Sequence, residues 1–179
     1  MELLEADVAI TVSIFGFFAF VWFGWAQERP PSQRTRWWLA GGAVAGLLLS
    51  VFGGIRTGAA EDDPSLYEGG AMGLFYIVVG LEFGLAALGA IILVIVRRQE
   101  FIAPWICLVV GVHFFPLAPL LDNAALYVLA ALLTVWPFVA VRVAQRRDLS
   151  TSFMTGVGAG SCLLFFALLS TVGLLLAGA

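Results

Sequence analysis

The sequence predicts an all-α polytopic membrane protein: a bundle of six transmembrane helices in a single integral-membrane domain spanning residues 1–179. Three observations predict it. The first is composition: 61% of residues are hydrophobic, mean hydropathy is +1.01 and only 12% are charged. That is about half the charged share of an ordinary soluble domain, too little polar surface to cover the chain in water. The second is that the apolar residues gather into six runs, each near the roughly 20 residues that a helix needs to cross the hydrocarbon core. The third is that basic residues fall in alternate breaks between the runs. A net charge of −3 with no long basic stretch gives no footprint for nucleic acid. The expected partner is the lipid bilayer.

The runs are taken in chain order. Helix 1 is expected over Val8–Ala26, after "MELLEAD", whose three acids and missing basic residue are the reverse of a signal peptide, so it is expected to stay in the mature chain. Its "FGFFAFVWFGW" is richer in aromatics than an interfacial belt requires and is expected to face lipid first, with an apolar ligand or another subunit as the alternatives. Helix 2, Trp37–Ile55, opens on Trp37 and Trp38 beside Arg36, as interfacial aromatics do. Helix 3, Ala71–Val96, carries Gly80 and Gly84 on one face and Glu82, Ala86 and Gly89 on another. Small residues on two faces mark a helix packed on both, which makes helix 3 the expected centre of the bundle. Helix 4, Ile102–Leu121, and helix 5, Ala124–Val141, are separated only by "LDN". Helix 6, Phe153–Ala177, opens on the small-residue pattern of Gly156 and Gly160, matched in helix 2 by Gly42 and Gly46. A second copy of the chain is expected to pack on these glycine faces if they stay exposed. None of the runs alternates polar and apolar residues as a transmembrane strand does.

Charge orients the helices. All nine basic residues are arginine. Arg29, Arg34 and Arg36 lie between helices 1 and 2, Arg97 and Arg98 between 3 and 4, and Arg142, Arg146 and Arg147 at the break between 5 and 6. The positive-inside rule makes that side cytoplasmic and both termini extracytoplasmic. The other side holds Glu2, Glu5, Asp7, Glu61, Asp62, Asp63, Glu68 and Asp122 with only Arg56, expected to pair with Asp122 or Glu68. Arginine without lysine, among many Ala, Gly, Leu and Val, points to a prokaryotic plasma membrane. Each arginine turn is followed by an aromatic opening the next helix, which suggests a weak pseudo-repeat of three hairpins.

Two ionisable side chains lie deep in the runs. Glu82 is 11 residues from the outer end of helix 3, and His113, the sole histidine, is 8 residues from the outer end of helix 4. At about 1.5 Å per residue they sit about 16 and 12 Å deep, on helices joined by a short turn. An acid at mid-bilayer costs at least about 2.5 kcal/mol and must find a partner or a proton. Glu82 and His113 are therefore expected to face the interior together, holding one shared proton or exchanging it with a pathway. Just outward of His113, Pro116 and Pro119 cannot donate to the carbonyls of Val112 and Phe115, and in helix 5 Pro137 leaves that of Leu133 free. Helix 4 is expected to kink or unwind there, as substrate-binding helices of transporters do. The histidine, the kink and "LDN" together suggest an outward pocket with Asp122 and Asn123 at its mouth and Tyr76 on its wall.

Other chemistry has less to stand on. A Ser161–His113 dyad lacks a G-x-S-x-G and an identifiable oxyanion hole. Cys107 and Cys162, with one distant histidine, have no metal-site spacing, and no cofactor is expected: there is no lysine for a retinal Schiff base and one histidine gives little support to a haem. The sequence therefore suggests a small transporter or channel-like protein that binds or moves a small solute, with proton coupling, through a pocket centred on Glu82 and His113. The alternatives are a non-catalytic accessory or assembly subunit of a larger membrane complex and, third, an intramembrane enzyme or lipid-binding protein.

Overall fold

A computed structural model describes residues 5–59 and 71–177, the side chains of Ala71, Met72 and Ala177 excepted. It is all-helical, with six helices long and apolar enough to cross a membrane. They are α1 (Glu5–Ala26), α2 (Gln33–Ala59), α3 (Ala71–Ile95), α4 (Ile102–Leu120), α5 (Ala125–Arg147) and α6 (Thr151–Ala177), with a 3₁₀ turn at Gln99–Phe101 leading into α4. Glu2, Glu61, Asp62, Asp63 and Glu68 lie outside the described residues.

Several helices run past the apolar spans because hydropathy marks the hydrocarbon core, whereas a helix ends where its caps are. Ser32 starts α2, its hydroxyl accepting from the Thr35 amide at 3.1 Å. Ser150 does the same for α6, accepting from the Phe153 amide at 3.2 Å. At the other ends of α3, α4 and α5 stand Arg97, Asp122 and Asp148, all with φ near +50°. In each case the next amide bonds five residues back: Arg98 to Leu93, Asn123 to Ala118 and Leu149 to Ala144. This closes the helix with a left-handed residue in the place glycine usually takes.

Packing overturns the expected centre. α6 is the hub: it lies against α1, α5, α2 and α4, while α1 and α2 pair closely and α4 pairs with α5. Among the described residues α3 packs only on α4 and the 3₁₀ turn, and a Cβ built on Gly80 or Gly84 would meet open space. Glycine spacing reports where a helix can be approached, not which helix approaches it. Among the glycines that are approached, Gly46 and Gly16 bring α2 onto α1: a Cβ on Gly46 would lie 2.7 Å from the Gly16 carbonyl oxygen. Gly156 of α6 sits equally close to the Trp22 carbonyl of α1. The glycine faces of α2 and α6 are thus used inside the chain and are not free for a second copy.

The aromatic run of helix 1 divides rather than facing lipid throughout. Phe15, Trp22 and Phe23 are buried against the rest of the bundle, whereas Phe17 and Phe20 are exposed. Two tryptophans make matching bridges within neighbouring helix pairs. Trp105 of α4 donates from Nε1 to the Leu85 carbonyl of α3 across Gly89, and Trp136 of α5 donates to the Met154 carbonyl of α6 across Gly158, each at 3.1 Å. In both, the glycine four residues on leaves room for the indole. The order is glycine then tryptophan in the first pair and tryptophan then glycine in the second.

α4 and α5 continue without interruption through Pro116, Pro119 and Pro137. No unwound segment forms at any of the three. The Leu133 carbonyl released by Pro137 takes the Cys107 thiol of α4 as its donor, Sγ to O 3.5 Å. A cysteine with no catalytic context therefore has a structural use.

Candidate functional site

The site is built where α3 leans on α4. Helical phase places Glu82 on the α4 side of α3 and His113 on the α3 side of α4, and the antiparallel run of the two helices brings them to one level. His113 Nε2 lies 3.4 Å from Glu82 Oε2, and both side chains are 12% exposed. That separation is long for a direct hydrogen bond and short enough for a small side-chain rotation to close. The other ring nitrogen, Nδ1, is 2.6 Å from the Val110 carbonyl oxygen. A carbonyl only accepts, so Nδ1 carries a hydrogen and Nε2 is the nitrogen that faces the carboxyl group. With Nδ1 fixed, neutral acid plus neutral imidazole and carboxylate plus imidazolium differ only in which atom, Oε2 or Nε2, holds one proton. Both arrangements have the same net charge, so the proton can change owner without leaving a bare charge among apolar side chains.

Glu82 and His113 open on one side into a cavity of about 200 Å³. α1 supplies Thr11, Ile14, Phe15 and Phe18, α3 supplies Phe75, Val79 and Phe83, and α4 supplies Phe114 and Leu117. Phe15 and Phe114 meet edge to face with ring centres 5.8 Å apart, and the His113 ring lies 4.3 Å from that of Phe114. Thr11 adds a third polar side chain, but its hydroxyl donates to the Asp7 carbonyl at 2.8 Å. On its other side the pair borders a groove between α3 and α4, lined by Val78, Leu81, Leu85, Trp105, Val112 and Pro116. The pair therefore stands between two apolar spaces.

Of the residues singled out in the sequence, Glu82 and His113 come together and the others do not join them. Tyr76 is 63% exposed and turned from the cavity, whose wall at that level is Phe75 and Val79. Asp122 is exposed and Asn123 half-buried, and neither lines the cavity. "LDN" is turn chemistry instead: Asp122 takes the left-handed position and the Asn123 side-chain oxygen accepts from the Ala125 amide at 3.1 Å, at the start of α5. Arg56 pairs with Glu5 and not with Asp122, which ties the end of α2 to the start of α1. Ser161 is exposed on α6 and lines neither space beside His113. Among the described residues no group of three metal-ligating side chains forms.

Which residues of α1 join the site was not anticipated from the sequence. Phe15 and Phe18 sit in an aromatic run with no periodic clue to separate inward from outward rings. Thr11, a polar side chain early in an apolar run, was the one available signal. Compared with protein families, with curated proteins and with solved structures, the chain matches none.

Proposed function

We propose that this chain is a multi-pass protein of a prokaryotic plasma membrane, with both termini outside, that binds or moves a small solute at Glu82 and His113 with linkage to one proton. The orientation rests on the arginines, eight of which cluster where α1 meets α2, α3 meets α4 and α5 meets α6. The observation that carries the function is the position of the pair: two ionisable groups 3.4 Å apart stand at the edge of a cavity instead of being sealed in packed side chains. A solute that offers a donor or acceptor there competes with Nε2 for the carboxyl group. Binding and proton position are then coupled, and by linkage each biases the other.

The test is infrared difference spectroscopy on the purified protein in bilayers, with the carboxyl band of Glu82 assigned by its loss in Glu82→Gln. A solute site predicts that this band responds both to pH and to at least one member of a panel of small solutes. A purely structural pair predicts a band that neither moves, and that result would end this reading. A second reading, an accessory subunit of a larger membrane complex, is favoured by one observation. Among the described residues α3 has α4 as its single α-helical neighbour and leaves Gly80 and Gly84 in open space. A stoichiometric membrane partner that survives gentle purification and protects α3 from labelling is its expected signature.

A further inference from the structure

We propose that the site takes a neutral, lipid-soluble molecule the size of one aromatic ring bearing a hydroxyl, and that this molecule arrives from the bilayer through the flank between α1 and α3; the inference rests on the reading of Glu82 and His113 as a solute site. Size is the first argument. An apolar cavity of about 150 Å³ admits a benzene ring, and the space here is about 200 Å³, room for one ring and a substituent.

Polarity is the second. Apart from Thr11, whose hydroxyl is already engaged, the polar side chains at the cavity are Glu82 and His113, and the rest of the wall is aliphatic or aromatic. A charged solute or a polyol would exchange hydration for contacts with Phe15, Phe75 and Phe114, with no partners for most of its polar atoms. A single hydroxyl suits the pair in either state. It donates to a carboxylate or accepts from a carboxylic acid, whichever way the shared proton lies. A carbonyl can only accept, so in either state it has to take the one proton that joins the pair.

The route is the third. α1 and α3 both line the cavity, yet their backbones do not pack together. Phe83, a wall residue, is 59% exposed on that flank. In a bilayer the flank faces acyl chains, so a molecule dissolved in lipid reaches the cavity without crossing water.

The experiment uses 4-fluorophenol and fluorobenzene as probes, followed by fluorine NMR on the full-length protein in lipid nanodiscs. Saturable binding of 4-fluorophenol is expected, weakened about tenfold by Glu82→Gln, in which an ordinary neutral hydrogen bond replaces one to a charged or proton-sharing group. Fluorobenzene should bind more weakly and be indifferent to that substitution. Val79→Trp, which fills the cavity, should abolish both, and Phe83→Trp at the mouth serves if Val79→Trp does not fold. For the route, a phospholipid carrying a hydroxyphenyl group at the end of one acyl chain should displace 4-fluorophenol, because its ring can arrive only from within the bilayer. Equal binding of the two probes, unaffected by Glu82→Gln, would mean an apolar pocket that any acyl chain fills, and would overturn the proposal. So would displacement of 4-fluorophenol by water-soluble phenols but not by the lipid-tethered ring. If the Glu82 band responds to acetate or glucose while 4-fluorophenol does not bind, the ligand class is wrong and the solute site stands. If nothing moves the band, the solute site itself is lost.

Discussion

At the scale of single residues, the side chains with most at stake are those whose partner cannot be replaced by water. Glu82 and His113 are each other's partners, so the two substitutions at Glu82 separate two roles. Glu82→Gln keeps the shape and the hydrogen-bonding capacity; it should leave thermal unfolding in detergent nearly unchanged while removing any proton-linked response. Glu82→Leu leaves His113 Nε2 facing an apolar side chain and should destabilise by about 1–3 kcal/mol. Combining Glu82→Leu with His113→Leu should cost less than the sum of the two single changes, since the second removes the group that the first orphaned. Additive costs in that cycle would show that the 3.4 Å approach carries no coupling. Cys107 poses a similar question at lower stakes. Its thiol serves the carbonyl that Pro137 leaves free. Cys107→Ser should therefore be better tolerated than Cys107→Ala, the reverse of the order expected for a cysteine that only fills space.

Helices are the scale at which the sequence was easiest and hardest to read. That six exist, and roughly where, follows from the thickness of hydrocarbon, which any apolar run of the right length reports. Which helix touches which does not follow, because the driving force between helices in lipid is close fit, and many surfaces with small residues offer it. Gly46 and Gly80 look alike in the sequence; one meets the Gly16 carbonyl and the other meets nothing. The consequence is a gradient of local stability. α3, held along one face by α4, has few buried contacts to lose, whereas α6 is enclosed by four helices. In detergent, amides of α3 should exchange with deuterium well ahead of those of α6, as measured by mass spectrometry of peptic fragments. Equal protection would mean that α3 is supported by something beyond α4, such as a second protein chain. In the same way Gly46→Leu should disrupt the α1–α2 pair, at about 1–3 kcal/mol or more for overpacking, while Gly80→Leu should be tolerated by the isolated chain. A large effect of Gly80→Leu on function with none on folding would place a partner at that face.

For the whole molecule the arginines carry information that the helices lack. A bundle of six apolar rods has no preferred direction in a bilayer; the charges at its ends supply one. Trp37 and Trp38, both largely exposed, sit at the arginine end of α2, where an interfacial ring is at home. Glu82 and His113 were legible in the sequence because ionisable groups are rare in such runs. The cavity beside them was not, since it depends on α1, which reaches α4 across a gap that no spacing within one helix encodes. The orientation also decides in which leaflet the cavity lies: Thr11, Phe75 and Leu117, all lining the cavity, lie in the halves of their helices away from the arginines. Single cysteines at Ser32, in the turn before α2, and at Ala124, in the turn before α5, test this directly. With Cys107 and Cys162 replaced by serine, a membrane-impermeant maleimide added to intact cells should label the variant carrying cysteine at Ala124, and should label the one at Ser32 only after the membrane is opened. The opposite pattern would place the cavity in the cytoplasmic leaflet while leaving its geometry intact. Labelling of both from outside would mean that the two turns share a side, and the six-span topology together with the depth of the pair would have to be abandoned.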